Sequence, residues 1–149
     1  MFLIIILTIQ NMGNTNSITK VNFEDIQHAI KNNGSHIINV LNRNEQQCLI
    51  QNTMNIDDEE LVINNLLEKG NNHNQIIIYG KNTNDMKVYE KYNQLVQLGF
   101  TNISVYIGGL FEWMLLQDIY GSENFPTTIN ELDILKFKPV QVLNVHRIH

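Results

Sequence analysis

Cysteine is almost absent from this 149-residue sequence, which contains only Cys48. One thiol excludes an intrachain disulfide, and it cannot supply the paired cysteines of a redox or zinc motif. A cysteine without a disulfide partner is typical of proteins kept in a reducing compartment, so the sequence predicts a cytoplasmic location. No metal site and no cofactor are expected, because the histidines are scattered without metal-ligand spacing at His28, His36, His73, His146 and His149.

Basic residues are also scarce, and only Arg43 and Arg147 carry guanidinium groups. Lysine and arginine together number 10, against 15 aspartate and glutamate residues, and the formal net charge is −5. Proteins that bind nucleic acid need clustered lysine and arginine to neutralise the phosphates. The composition therefore argues against a nucleic-acid partner and leaves another protein as the expected class of partner.

Long hydrophobic runs are missing as well. The most apolar stretch, residues 1–9 (MFLIIILTI), is too short for a membrane-spanning helix, which needs about 20 apolar residues. It also lacks the basic residues and the small-residue cleavage site of a signal peptide. Residues 1–20 are therefore interpreted as a hydrophobic and polar leader in front of the folded domain.

A possible acylation motif lies within this leader. Residues 12–17 read Met-Gly-Asn-Thr-Asn-Ser and fit the N-myristoylation pattern, in which the acyl chain is attached to an N-terminal glycine. Gly13 becomes that glycine only if translation starts at Met12. The alternative is a chance match in an Asn- and Ser-rich stretch. A single myristoyl chain would give weak, reversible membrane association.

Short β-branched runs alternate with helical patterns along the rest of the chain. Strands are predicted at 37–41, 75–79 and 103–106, with two further stretches at 48–50 and 53–56, and helices after Asn22, at 57–69, at 86–98 and after Gly109. This alternation favours an α/β fold with a central, mostly parallel sheet of about five strands and helices on both faces. We expect the domain to occupy residues 21–125 and the partly apolar tail, residues 126–149, to pack on it.

Polar residues and glycines predict where the helices begin and end. Asn22 is a favourable cap for the first helix, and Asp57 or Asp58 can cap the second. The first and third helices are predicted to end at Gly34 and Gly99, because glycine adopts the left-handed conformation at little cost.

Two motifs near the end of the predicted domain carry a family resemblance. Residues 98–103 read Leu-Gly-Phe-Thr-Asn-Ile, and residues 106–113 read Tyr-Ile-Gly-Gly-Leu-Phe-Glu-Trp. Together with the strands at 37–40 and 76–79, these motifs resemble the rhodanese-like superfamily, which includes sulfurtransferases and dual-specificity phosphatases. The resemblance implies the rhodanese-like α/β fold.

The same resemblance places the family's functional positions on residues that do not carry its chemistry. Family members have a nucleophilic cysteine directly after the strand at 76–79, where this chain has Gly80. The arginine that closes the family's anion-binding loop corresponds to Asp85, which carries the opposite charge. The family's aspartate after the earlier strand corresponds to Asn39, and its Gly-His-Ile segment corresponds to residues 48–50 (Cys-Leu-Ile).

Because four functional positions depart together, we expect a catalytically inactive pseudoenzyme that acts as a binding or regulatory module. The degenerate loop consists of Gly80, Lys81, Asn82, Thr83, Asn84 and Asp85. Lys81 and Thr83, with the loop amides at a helix N-terminus, are candidate ligands for a small anion. Asp85 argues against strong anion binding, because its carboxylate can cap those amides itself.

One alternative keeps catalysis and moves it to Cys48. A sulfurtransferase or phosphatase with relocated chemistry requires the Cys48 thiol to reach the loop at Gly80. The nearest cation in the sequence is Arg43, and the following residues, Leu49 and Ile50, are apolar. These neighbours favour a buried, inert thiol over a reactive one.

Overall fold

Four parallel strands form the sheet in the part of the chain that the computed structural model describes, residues 17–144. The strands are β1 (Thr19–Val21), β2 (Ser35–Asn39), β3 (Gln75–Tyr79) and β4 (Ile103–Tyr106), in the order β1-β4-β3-β2. The helices are α1 (Phe23–Asn32), α2 (Glu59–Glu68), α3 (Lys87–Leu98) and α4 (Gly109–Tyr120). The apolar segment 1–9, Met12 and Gly13 lie outside the described residues.

The α/β architecture is confirmed, but the strand count differs from the expected five. Residues 48–56 contribute isolated bridges in place of a strand, from Thr53 to Ile37 and from Ile50 to Thr127. A turn closed by the Thr53 amide and the Ile50 carbonyl, 3.1 Å apart, prevents a continuous ladder here. β1 begins within the stretch interpreted as leader and crosses the predicted domain boundary at residue 21. The sequence did not reveal it because a short, exposed edge strand gives no apolar signal.

The helices cover both faces of the sheet, as the sequence predicts. Side chains alternate along each strand, so Ile37 and Ile77 belong to one core and Ile38 and Ile78 to the other. α1 and α4 pack on the first core, and α2 and α3 pack on the second. Strands buried on both faces explain the continuous apolar runs in the sequence.

The chain after α4 closes the first core. Trp113 of α4 is fully buried, its Nε1 donates to the Pro126 carbonyl at 3.1 Å, and its ring lies 5.0 Å from that of Phe125. Phe137, in the short 3-10 helix Ile134–Phe137, is buried in the same cluster. Within residues 17–144, no helix combines the length and the apolar character that a membrane crossing requires.

The helix boundaries follow the predicted signals only in part. Asn22 caps α1 through a capping box with Asp25, as predicted. The expected stop at Gly34 is wrong, because the chain already turns at Asn33, where φ is 51° and asparagine tolerates the left-handed region. The side-chain cap predicted for α2 is also absent: Asp58 makes no capping bond, and Asp57 pairs with Arg43 at 2.7 Å.

Gly99 ends α3 in the left-handed conformation, with φ of 105° and no neighbouring atom within 4 Å of the point that a Cβ would occupy. We therefore expect Gly99→Ala to lower the free energy of unfolding by about 1–2 kcal/mol through backbone strain alone. Gly34→Ala is the matched control, since its φ is ordinary and its nearest neighbour is 3.9 Å away. Urea unfolding of both variants checks this, and equal midpoints would contradict the assigned role of Gly99.

Candidate functional site

The loop of residues 80–85 lies at the carboxyl end of β3, between β3 and α3, where sites in parallel α/β sheets are usually found. The turn between β4 and α4 lies against it. Leu110 N donates to the Gly80 carbonyl and Phe111 N donates to the Lys81 carbonyl, each at 2.9 Å. These bonds fix the first residues of the loop to the start of α4.

Gly109 makes this close approach possible. Its φ is 68°, and a Cβ atom at this position would lie 2.6 Å from the Gly80 carbonyl oxygen. A residue with a side chain would therefore push the two loops apart. The second glycine of the Gly-Gly motif thus shapes the site through the loop that it contacts.

The carboxylate of Asp85 fills the inside of the loop. Its Oδ2 accepts a hydrogen bond from Lys81 N at 2.9 Å, and its Oδ1 accepts one from Lys87 N at 3.2 Å. A Cβ atom on Gly80 would lie only 2.6 Å from Oδ2. The side chain that the sequence identifies as a possible cap therefore binds loop amides and occupies the space beside the position of the missing nucleophile.

Asn82 closes the remainder of the loop. Its side-chain oxygen accepts from Asn84 N at 2.9 Å, and its carbonyl accepts from Asp85 N at 3.2 Å. Its Nδ2 donates to the Phe137 carbonyl at 3.0 Å, which joins the loop to the C-terminal segment. Thr83, one of the two candidate anion ligands, is exposed at the loop surface.

Lys81, the other candidate ligand, is already paired. Its Nζ lies 2.6 Å from Oε2 of Glu45, and both side chains are largely shielded from solvent. The hydrogen bond from Lys81, supported by its charge and that of Lys87, holds the pKa of Glu45 below its usual value. An anion at Lys81 would have to displace this carboxylate, and anion binding by Lys81 and Thr83 stays a prediction.

Asn39 has a structural role in place of the family's aspartate. It is buried at the end of β2, and it exchanges two hydrogen bonds with Gln46, at 3.0 and 2.8 Å. Its Oδ1 also accepts from Leu41 N at 3.0 Å. Because an amide both donates and accepts, Asn39 satisfies Gln46 in a way that a carboxylate cannot.

Cys48 lies near the loop in space but its thiol is buried. Its Sγ is 3.9 Å from Met114 Sδ and 4.0 Å from the Ile129 carbonyl oxygen. Burial, and secondarily the charge of Glu131, raises the pKa of the thiol above its usual value. Nucleophilic attack requires the thiolate, so this environment suppresses the reactivity of Cys48.

A cavity of about 250 Å³ lies where the segment around Cys48, the loop of residues 80–85 and the C-terminal segment meet. It is lined by Asn44, Glu45, Gln47, Cys48, Lys81, Lys136 and Phe137. Sequence reasoning placed Cys48 in a different segment from the loop and missed Lys136, since no motif marks the C-terminal segment as part of this site. Within residues 17–144, no group of three or more His, Cys, Asp or Glu side chains is arranged to hold a metal ion.

Solved structures resemble this fold at low sequence identity. The Alr3790 protein from Anabaena sp. is 21% identical over 72% of this chain and 89% of that chain, with a TM-score of 0.52. The BH2092 protein from Bacillus halodurans is 18% identical over 71% and 77%, with a TM-score of 0.54.

An enzyme is also among the structural neighbours. Thiosulfate sulfurtransferase from Pseudomonas aeruginosa is 16% identical, with a TM-score of 0.50, and the match covers 66% of this chain but 19% of the enzyme. At these identities, the likeness establishes the fold alone. Comparison with curated proteins finds no significant match.

A family model decides the assignment. The model of the rhodanese-like domain matches residues 22–116, which is well over half of the chain. The match begins at the cap of α1 and extends into α4, so it includes the loop of residues 80–85 and the Gly-Gly turn that contacts it. The chain belongs to the rhodanese-like domain family.

Proposed function

We propose that this rhodanese-like domain is a catalytically inactive binding or regulatory module. The observation that carries the proposal is the Asp85 carboxylate, which lies inside the loop beside Gly80 and accepts hydrogen bonds from two amides. Gly80 offers no nucleophile, and the anion that the loop accommodates is supplied by the chain itself.

Electrostatics supports the loss of sulfur and phosphoryl transfer. Thiosulfate and phosphate are anions, and a catalytic loop of this family would hold them, and a thiolate, with inward-pointing amides. Here the Lys81 amide is bound to Asp85, and the Lys81 ammonium is paired with Glu45 at 2.6 Å. A substrate anion would meet a carboxylate in a place where family members supply an arginine, and like charges at contact distance repel.

The surroundings of Cys48 support the same conclusion. Its Sγ lies within 4.0 Å of Met114 Sδ and of the Ile129 carbonyl oxygen, and burial disfavours the thiolate. A second candidate function, sulfur or phosphoryl transfer with Cys48 as a relocated nucleophile, draws its support from the cavity that Cys48 shares with Lys81. A protein is the partner class that we propose for the inactive module, because the net charge of −5 disfavours nucleic acid.

A membrane-associated adaptor role is proposed on separate grounds, the motif that begins at Met12. If translation starts there, Gly13 is the acylated residue. We expect the mass of the native protein's N-terminal peptide to match myristoylated Gly13. An unmodified N-terminal peptide that begins at Met1 would remove this proposal and leave the inactive module unaffected.

A direct assay separates the inactive module from the enzyme alternative. We expect the purified protein to transfer no sulfur from thiosulfate to cyanide, and to release no phosphate from an aryl phosphate, above the uncatalysed rate. The physical reason is the absence of a thiolate at Gly80 and the protonated, buried state of Cys48. Turnover that disappears in Cys48→Ala would overturn the proposal and establish the relocated chemistry.

The position of Asp85 also makes a prediction about stability. Gly80→Ala places a Cβ against the Asp85 carboxylate and forces the carboxylate away from Lys81 N and Lys87 N. We therefore expect the free energy of unfolding to fall by about 1–2 kcal/mol. In an Asp85→Ala background the same change should cost less, with a coupling of about 0.5–3 kcal/mol. Urea unfolding of the four proteins measures this cycle. Additive effects would mean that Asp85 does not occupy the loop.

A further inference from the structure

The C-terminal segment of residues 129–137, here called the strap, lies across the cavity that contains Cys48. The Ile129 carbonyl oxygen is 4.0 Å from the thiol sulfur, and Lys136 and Phe137 line the same cavity. Glu131 and Lys136 are also the charged groups that act on the thiol. Several residues of the strap therefore lie next to Cys48 or line its cavity.

The start of the strap is firmly attached to the domain. Thr128 N donates to the Leu49 carbonyl at 2.8 Å, and Leu49 N donates to Thr128 Oγ1 at 3.0 Å. Thr128 Oγ1 in turn donates to the Gln47 carbonyl at 3.1 Å. These three bonds make Thr128 a fixed point next to the first residue of the strap.

Beyond Thr128, the strap is held to the domain mainly by the side chains that face the first core. Phe137 is 3% exposed and Ile134 is half-buried, whereas Leu132 and Leu135 are 86% and 63% exposed on the outer side. The hydrogen bond from Asn82 to the Phe137 carbonyl joins the strap to the loop of residues 80–85.

The ion pair of the strap does not attach it to the domain. Lys136 Nζ lies 2.6 Å from Glu131 Oε2, and both residues belong to the strap. The ring of Phe137 is contacted by Lys136 as well, with Nζ 5.3 Å from the ring centroid. These contacts lie within the strap, and Phe137 is the only buried residue in it.

We propose that the strap is a gate that swings about Thr128, uncovers Cys48 and the cavity, and closes again without unfolding of the domain. Release of Phe137 from the core and of its carbonyl from Asn82 opens the gate. The closed gate keeps reagents and ligands from the thiol, and the open gate exposes Lys81 in the same cavity. This inference goes beyond the proposed function and holds whether or not the loop has activity.

The rate at which Cys48 reacts with N-ethylmaleimide tests the gate, since the chain has no other cysteine. Labelling is followed by mass spectrometry of the full chain at one pH, over urea concentrations below the unfolding transition. Local opening exposes little surface, so we expect the wild-type rate to be nearly independent of urea until global unfolding takes over.

Variants that remove a contact between the strap and the domain test the gate further, beside a control that removes none. Phe137→Ala should raise the labelling rate at low urea by at least about tenfold, because it removes the buried anchor. Asn82→Ala should raise it by about two- to tenfold, because it removes the hydrogen bond to the Phe137 carbonyl that holds the strap; the bond from Asn84 N that is lost with it lies within the loop. Leu135→Ala is the matched control within the strap, and its rate should stay within about twofold of the wild type, since its side chain is exposed.

A control outside the strap distinguishes the gate from general destabilisation. Ile63→Val, on α2 in the second core, lowers global stability and should leave labelling at low urea unchanged, because Cys48 and Phe137 lie in the first core. The gate is excluded if wild-type labelling follows the global urea dependence at every concentration. It is also excluded if Phe137→Ala and Asn82→Ala raise the rate only as much as their global stability loss requires. Should Phe137→Ala fail to fold, Asn82→Ala and the wild-type urea dependence decide the matter.

Discussion

The hydrogen bonds between the Asp85 carboxylate and the amides of Lys81 and Lys87 set the character of this site. Amides at the start of a helix attract negative charge, and here the chain supplies that charge from its own loop. The bonds require Gly80, because any side chain there would collide with the carboxylate. The absence of a nucleophile and the presence of the internal anion are thus two consequences of one packing arrangement.

The surrounding polar residues are satisfied in the same local way. Lys81 is neutralised by Glu45, and Asn39 exchanges hydrogen bonds with Gln46 at the end of β2. Buried polar groups without partners would cost stability, so each departure from the family pattern needs a new partner nearby. Asn39 illustrates this well, since its amide can donate to Gln46 where an aspartate carboxylate cannot. At the carboxyl edge of the sheet these residues form a polar cluster whose members are partners of one another.

Much of the fold could be predicted from residues whose signal is local. β3 and β4 are short, mainly apolar runs, and Asn22 is a favourable N-cap residue for α1. These strands and this cap can be identified without tertiary information. β1 could not be predicted because its pairing with β4 is made by residues far apart in the chain, and its exposed side chains carry no apolar pattern. The expected count of about five strands exceeds the four in the described residues, because residues 48–56 make only isolated bridges where a turn competes with the ladder.

By itself, the sequence determined the class of fold, the family resemblance and the absence of a cysteine at position 80, since each depends on which residue stands where along the chain. Only the tertiary structure decided what fills the loop and what surrounds Cys48. Contacts between residues 48, 81 and 129–137 join segments with no local pattern in common. The packing of the 3-10 helix around Phe137 brings them together, because burial of an aromatic ring against a distant core is a property of the folded chain.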